Sequence, residues 1–320
     1  MSEAAKTMDH ADSDPTTPAA PILTGTSLEL GSDAVVRTGV EIARRLGAPL
    51  HLCHAHHLPT AFFAASAGLS AVTPDLLDSE SAVRERLLDE QLMRLGLDRS
   101  NIEGSIVQAG TAHRLLHETA EELGAGLMVI GARETDRPAF LGSTVDRVLR
   151  SACYPIWVVD GDVQLPPKHV VAPVDLSPLS LESLQRGLAV LDALCDEPPE
   201  IELLFVLAPD EIEGSRQFEP DQIRRMAHEE LDRFVEQLDP DGTRQLSKEV
   251  REGDVRDEIV RDTREKPVDL LVLGTHGRSG FDRFLLGSIA ADVAARAHVS
   301  SLIVPPCSET TADGSADADS

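Results

Sequence analysis

Four residues spaced as G-x-x-G-(x)9-G-S, namely Gly274, Gly277, Gly287 and Ser288, carry the strongest chemical signal in the chain. Glycines let backbone N–H groups approach an oxyanion closely. Where such a loop opens a helix, the unpaired donors and partial positive charge of the helix N-terminus add to the attraction. The guest that suits this arrangement is a phosphate. The flanks agree: the apolar run from Val268 to Leu273 reads as a buried strand bounded by Gly274, and an amphipathic stretch, 289–298, begins after Ser288. Thr275, His276 and Arg278 lie within the loop, and Ile289 closes it. Ser288 serves either as the helix cap alone or as cap and phosphate contact. An acid–base role for His276 would need a positioned water and partners; the plainer reading is loop geometry. Arg278 and Arg283 offset phosphate charge or stay solvated.

Other chemistry is weaker. The run HLCHAHH at 51–57 puts His51, Cys53 and His57 on one strand face and His54 and His56 on the other. Three ligands on one straight strand do not readily surround a zinc ion, so no metal is expected. Cys53, Cys153, Cys195 and Cys307 form no C-x-x-C pair. The chain has no G-x-x-x-x-G-K-[ST] phosphate loop, no G-x-G-x-x-G fingerprint after its first strand and no G-x-S-x-G nucleophile elbow, which disfavours a hydrolase or dehydrogenase.

The positioning elements follow from periodicity. In the first half, strands are expected at 22–24, 50–55, 105–108, 127–130 and 156–159, with helices at 32–46, 79–95, 111–122 and 143–152. Ser79 or Ser81 is the expected N-cap of the second helix. The series restarts at His169, with strands at 170–174, 201–207, 249–250, 270–273 and 302–304 and helices at 178–194, 221–238, 255–265 and 288–297. Residues also align between the halves: Gly142-Ser143 with Gly287-Ser288 and Val159 with Val304 at a shift of 145, Gly131 with Gly274 and Gly110 with Gly253 at a shift of 143. This is an internal duplication. The β-α-β order implies parallel strands with helices on both faces and right-handed crossovers.

The expected organisation is a disordered acidic tail (1–20), a first domain (21–160), a linker (161–168, GDVQLPPK), a second domain (169–306) and a second acidic tail (307–320). A length of 320 residues suits two domains. The net charge of −26 argues against nucleic acid as a partner. No apolar run approaches the roughly 20 residues of a membrane helix, and the N-terminus lacks a signal-peptide pattern, so a cytoplasmic location without membrane contact is expected.

The glycine pattern, set in this element order within a duplicated unit, resembles the nucleotide loop of the universal stress protein family, in its tandem two-domain form. Val171-Ala172-Pro173-Val174-Asp175-Leu176-Ser177, Phe205-Val206 and Leu302-Ile303-Val304-Pro305 extend the resemblance. It implies an α/β, Rossmann-like fold of two doubly wound, five-stranded parallel sheets, each in the order 3-2-1-4-5. Fifth strands would pair across a two-fold axis into an internal pseudo-dimer. It also implies ATP, with or without Mg2+, held between strands one and four. Asp175, beside Pro173, would contact the ribose or adenine side, and Val174 and Val206 would flank the base. Gly274, Gly277, Gly287 and Ser288, with Thr275, His276, Arg278 and the backbone of Ile289, would surround the phosphates. The partners implied are an adenine nucleotide, a second copy of the chain and an unidentified protein. The implied role is a stress-response sensor or regulator; slow ATP hydrolysis or phosphoryl transfer, and a nucleotide-free scaffold, are the rival readings.

The first half departs from the pattern. Glu134 stands where the second glycine belongs, the loop is two residues shorter, and Thr24-Gly25-Thr26 stands near the place of Pro173-Val174-Asp175. A carboxylate near a phosphate costs on the order of 1–4 kcal/mol, so this half is expected to bind ATP poorly.

Overall fold

The computed structural model describes residues 19–56, 74–132, 141–209, 218–275 and 287–305. Glu134, His276, Gly277, Arg278, Arg283, residues 1–18 of the first acidic tail and all of the second lie outside them, as does His57.

The first half runs β1 (Ile22–Gly25), α1 (Asp33–Leu46), β2 (Leu50–His56), α2 (Pro74–Arg94), β3 (Gly104–Ala109), α3 (Ala112–Leu123), β4 (Leu127–Gly131), α4 (Ser143–Ser151) and β5 (Ile156–Val159). The second half runs β6 (His169–Val174), α5 (Pro178–Leu194), β7 (Glu200–Leu207), α6 (Pro220–Leu238), β8 (Leu246–Glu252), α7 (Val255–Glu265), β9 (Leu270–Gly274), α8 (Ser288–Arg296) and β10 (Ser301–Val304). Two boundaries shift by more than a residue: β8 extends on both sides of the expected 249–250, and α2 begins at Pro74 rather than near Ser79 or Ser81. Proline is well suited to a helix's first turn, where its missing N–H has no intrahelical partner to lose.

The strands pair in the order β3-β2-β1-β4-β5-β10-β9-β6-β7-β8. Each half therefore has the 3-2-1-4-5 order, and the two half-sheets join into one ten-stranded sheet. All pairs are parallel except β5 with β10, where Trp157 lies opposite Leu302 and Ile156 opposite Ile303. The fifth strands meet as the pseudo-dimer requires.

Alternating residues of these strands are buried on both faces, as a parallel sheet covered by helices demands. Ile22, Val129, Trp157, Val170, Val174 and Leu302 pack with Val35 and Ile42 of α1, Leu92 of α2, Leu188 of α5 and Leu231 of α6. Leu23, Met128, Ile156 and Ile303 face the other way, against Leu116 of α3, Val148 of α4, Ile259 of α7 and Val293 of α8. α1 and α5 approach their strands so closely that a Cβ on Gly39 would lie 2.2 Å from Thr24 Oγ1, and one on Gly187 2.7 Å from Val272 Cγ1.

Candidate functional site

In each half the strand order reverses between the first and fourth strands, and the rule for open α/β sheets puts a ligand crevice at the carboxyl ends of those strands. In the second half that crevice, at the ends of β6 and β9, is a cavity of about 350 Å³. Nine of the twelve residues singled out from sequence line it: Pro173, Val174 and Asp175 at the end of β6, Val206 on β7, Gly274 and Thr275 at the end of β9, and Gly287, Ser288 and Ile289 at the start of α8. His276, Gly277 and Arg278 fall outside the described residues.

The backbone here leaves no room for a side chain at Gly287. Its N–H donates to Thr275 O (2.6 Å), and a Cβ would lie 2.8 Å from that oxygen. At the opposite wall, Asp175 Oδ1 accepts from Ser177 N (3.0 Å), while Ser177 Oγ accepts from Ser180 N (3.1 Å) and caps α5. Asp175 thus shapes the turn that presents it. Leu176, between them, takes the left-handed conformation, φ 63°.

Ser288 differs from the capping expectation. The N-cap of α8 is Gly287, with no side-chain capping bond. Ser288 Oγ instead accepts from Arg256 Nη2 at 2.8 Å. Arg256 is held in turn by α7, whose N-cap Asp254 accepts from Arg256 N and Asp257 N. A guanidinium therefore stands beside the N-terminus of α8, where the helix dipole already favours an anion. Sequence reasoning missed it because α7 lies a strand and a loop before α8, and only the fold brings them together. It also left out Val255 and Ile259 of α7, which wall the cavity with Leu204 and Phe205.

The first half has a matching crevice of about 470 Å³. Strand register lets the two be compared residue with residue. Ile22 pairs with Leu127 and Leu50, as Val170 pairs with Leu270 and Ile201. Leu28, at φ 66°, repeats Leu176. Gly25-Thr26-Ser27, and not Thr24-Gly25-Thr26, therefore occupies the place of Pro173-Val174-Asp175; Thr24 is fully buried against α1. His54 and Ala55 replace Phe205 and Val206, Ala112 replaces Val255, and Thr144 replaces Ile289. These exchanges make the first crevice wider and more polar. Its rim is fixed from α2. Thr26 Oγ1 donates to Gln91 Oε1 (2.8 Å), Gln91 Nε2 donates to Ser32 Oγ and Asp33 Oδ1 (both 3.0 Å), and Arg94 binds Asp33 through Nε (2.8 Å) and Nη2 (2.7 Å). The hydrogen bonds from Arg94 hold the Asp33 carboxyl below its ordinary pKa, against burial, which acts the other way.

Among the described residues, no group of three or more His, Cys, Asp or Glu is placed to hold a metal ion, and no helix is long and apolar enough to cross a membrane. The profile of the Universal stress protein family matches residues 20–160 and again 167–305. The chain belongs to the universal stress protein family. A universal stress protein of Methanocaldococcus jannaschii is 31% identical over 141 residues, which span 43% of this chain and 81% of that one. Two crystal structures of universal stress proteins share the fold over almost the whole length. One, from Pseudomonas aeruginosa, superposes with a TM-score of 0.61 at 17% identity, covering 90% of this chain and 93% of its own. The other, from Archaeoglobus fulgidus, has a TM-score of 0.60 at 15% identity, covering 89% and 98%. As a tandem universal stress protein, the chain carries both family copies in one polypeptide, and its membership supports a stress-response role.

Proposed function

We propose that the second half, taken as 169–306, binds ATP in the crevice at β6 and β9, and that the nucleotide regulates this protein in a stress response. The observation that carries this reading is the convergence of nine motif residues on one cavity that ends at the N-terminus of α8. The donor set fits the cofactor: apolar walls at Val174, Phe205, Val206 and Ile259 suit a base, and Asp175 suits sugar hydroxyls. The backbone around Gly287, the helix dipole and Arg256 suit phosphate. Gly277 and Arg278 complete this loop in sequence. A Mg2+ ion would be held chiefly through phosphate oxygens. Cytoplasmic location, self-association and an unidentified protein partner belong to the same reading.

Calorimetric titration of the full chain with ATP tests it. One site per chain is expected. Gly287→Val, which drives a branched side chain toward Thr275 O, and Gly277→Glu, which places a carboxylate in the loop, should each weaken binding by a hundredfold or more. ATP affinity unchanged in both variants would overturn the assignment.

A further inference from the structure

The inner face of α7 carries charge that the nucleotide crevice does not use. Asp262, one turn beyond the crevice residue Ile259, is fully buried. Its Oδ1 accepts from Arg251 Nη2 of β8 and from Lys266 Nζ (2.9 Å), just past the end of α7. Its Oδ2 has no hydrogen-bond partner among the described residues. Lys266 Nζ also donates to both carboxyl oxygens of Glu202 on β7 (2.7 and 2.6 Å). The carboxyls of Glu202 and Asp262 come within hydrogen-bonding reach of one another, a contact that becomes a bond only when one of the acids carries a proton.

The first half has no such pair. Strand register puts His51 at the position of Glu202 and Gln108 at that of Arg251. The shift of 143 puts Thr119 at Asp262 and Leu123 at Lys266. The acid pair therefore stands in the one copy whose crevice has the full glycine loop.

Charge around the pair is unbalanced. Toward the start of β7, Glu200 lies against His169 of β6 (3.2 Å). β8 adds Glu249 beside Arg251 (3.4 Å), and α7 adds Glu258, paired with Arg261 (2.8 Å), and Glu265, paired with Arg251 (3.1 Å). Apart from Glu200, five carboxylates, those of Glu202, Glu249, Glu258, Asp262 and Glu265, share the three cations Arg251, Arg261 and Lys266. Burial raises the pKa of Glu202 above its ordinary 4.5; Lys266 opposes this, and the charge of Asp262 adds to it. One proton taken up here removes an excess negative charge and joins two groups that otherwise repel. The helix that carries Asp262 is also a wall of the crevice: Val255 and Ile259 line it, and Arg256 reaches Ser288. Asp262 stands about 9 Å along the helix from Arg256, so a change in how α7 seats on the sheet is felt at both places.

We infer that Glu202 and Asp262 form a proton-operated control on the nucleotide crevice: mild acid places one proton between them, α7 seats more firmly on β7 and β8, and ATP is held more tightly. The effect on ATP rests on the reading proposed above, whereas the proton uptake does not.

Glu202→Gln tests the control, because its amide supplies a permanent N–H donor without the charge. An acid whose pKa is raised by folding lowers stability as pH rises through the folded-state value, and has no such effect below the unfolded-state one. By calorimetry, the full-length Glu202→Gln chain should bind ATP about threefold or more tightly than the unsubstituted chain at about pH 7.5, with the gap closing by about pH 5. Comparing the two chains at each pH cancels the titration of ATP itself. The urea midpoint of the variant should likewise be higher at about pH 7.5 and converge with that of the unsubstituted chain on acidification. In the unsubstituted chain, where no variant has to fold, the carboxyl carbon resonance of Glu202 should titrate above pH 4.5, with the Asp262 resonance moving in the same transition. A Glu202 resonance that titrates at or below 4.5, an Asp262 resonance that ignores the transition, equal ATP affinities at about pH 7.5, or a gap that persists unchanged at about pH 5 would each overturn the inference. Failure of the ATP reading looks different: neither chain would bind ATP at either pH, while the Glu202 resonance and the urea midpoints would still follow the proton.

Discussion

Arg256 shows how much of a site can depend on one contact made across elements. Its guanidinium reaches Ser288 Oγ at the mouth of α8, and the N-cap of α7 holds its backbone in place. A bound phosphate would gain a charge-assisted contact there, which is typically about 1.5–3 kcal/mol. Arg256→Met is therefore expected to weaken ATP binding roughly tenfold to a hundredfold, read by calorimetry, and to leave the urea midpoint of the chain unchanged. A lowered midpoint alongside the lost affinity would place Arg256 in the stability of the fold instead. Much of this site could be read from residue types: Gly274, Gly287, Asp175 and Val206 follow from a spacing and a resemblance. Arg256 could not, because nothing in the sequence links it to Ser288. The same limit misplaced the first-half counterpart of Asp175 by one residue. Glycine and threonine at 24–26 permit either alignment, and only the pairing of β1 with β4 chooses Ser27.

At the level of elements, the two copies keep the parts that bring helices onto the sheet and vary the parts that frame the crevices. Gly39 and Gly187 recur at the same position of α1 and α5 because the helix backbone lies against a strand side chain in each copy. The two helices were legible from their periodicity, although the close approach behind these glycines was not. The start of α2 is the exception among the helices, since it lies at Pro74, upstream of both serines expected to cap it. What α2 contributes is the network through Gln91 and Arg94, which ties the rim of the first crevice to a second helix. Arg94→Met should lower the urea midpoint at pH 7, because Asp33 is left buried without its charged donors. The sign of its pH dependence follows from the lowered pKa of Asp33 in the fold. The contribution of this pair is fully present above the unfolded-state value near 3.8 and is lost as pH falls through the lower folded value. Urea denaturation at pH 7 and at about pH 3, below that unfolded-state value, should therefore show the gap between the two proteins narrowing on acidification; a gap independent of pH would reject the ion-pair account.

Across the whole molecule, the seam between β5 and β10 makes one structure of two repeats. Trp157, the single tryptophan of the chain, is fully buried on that seam opposite Leu302. Both apolar layers run across it, with Leu188 and Val35 in one and Val148 and Val293 in the other. Unfolding followed by Trp157 fluorescence should coincide with loss of helix followed by circular dichroism, in one transition. Leu302→Ala should destabilise both signals together by about 2–5 kcal/mol; two separated transitions would mean that the halves fold independently. The tandem architecture was readable from the duplication, whereas the fusion into a single sheet depends on which edges meet, a matter of tertiary packing.

The antiparallel direction of that one pair also decides where each crevice opens. Because β5 and β10 run in opposite senses, the carboxyl ends of the two half-sheets point to opposite edges of the molecule. A protein docked over one mouth has no access to the other, and a small ligand cannot bridge them. Whatever meets one mouth therefore approaches from a side of the molecule that the other mouth does not face.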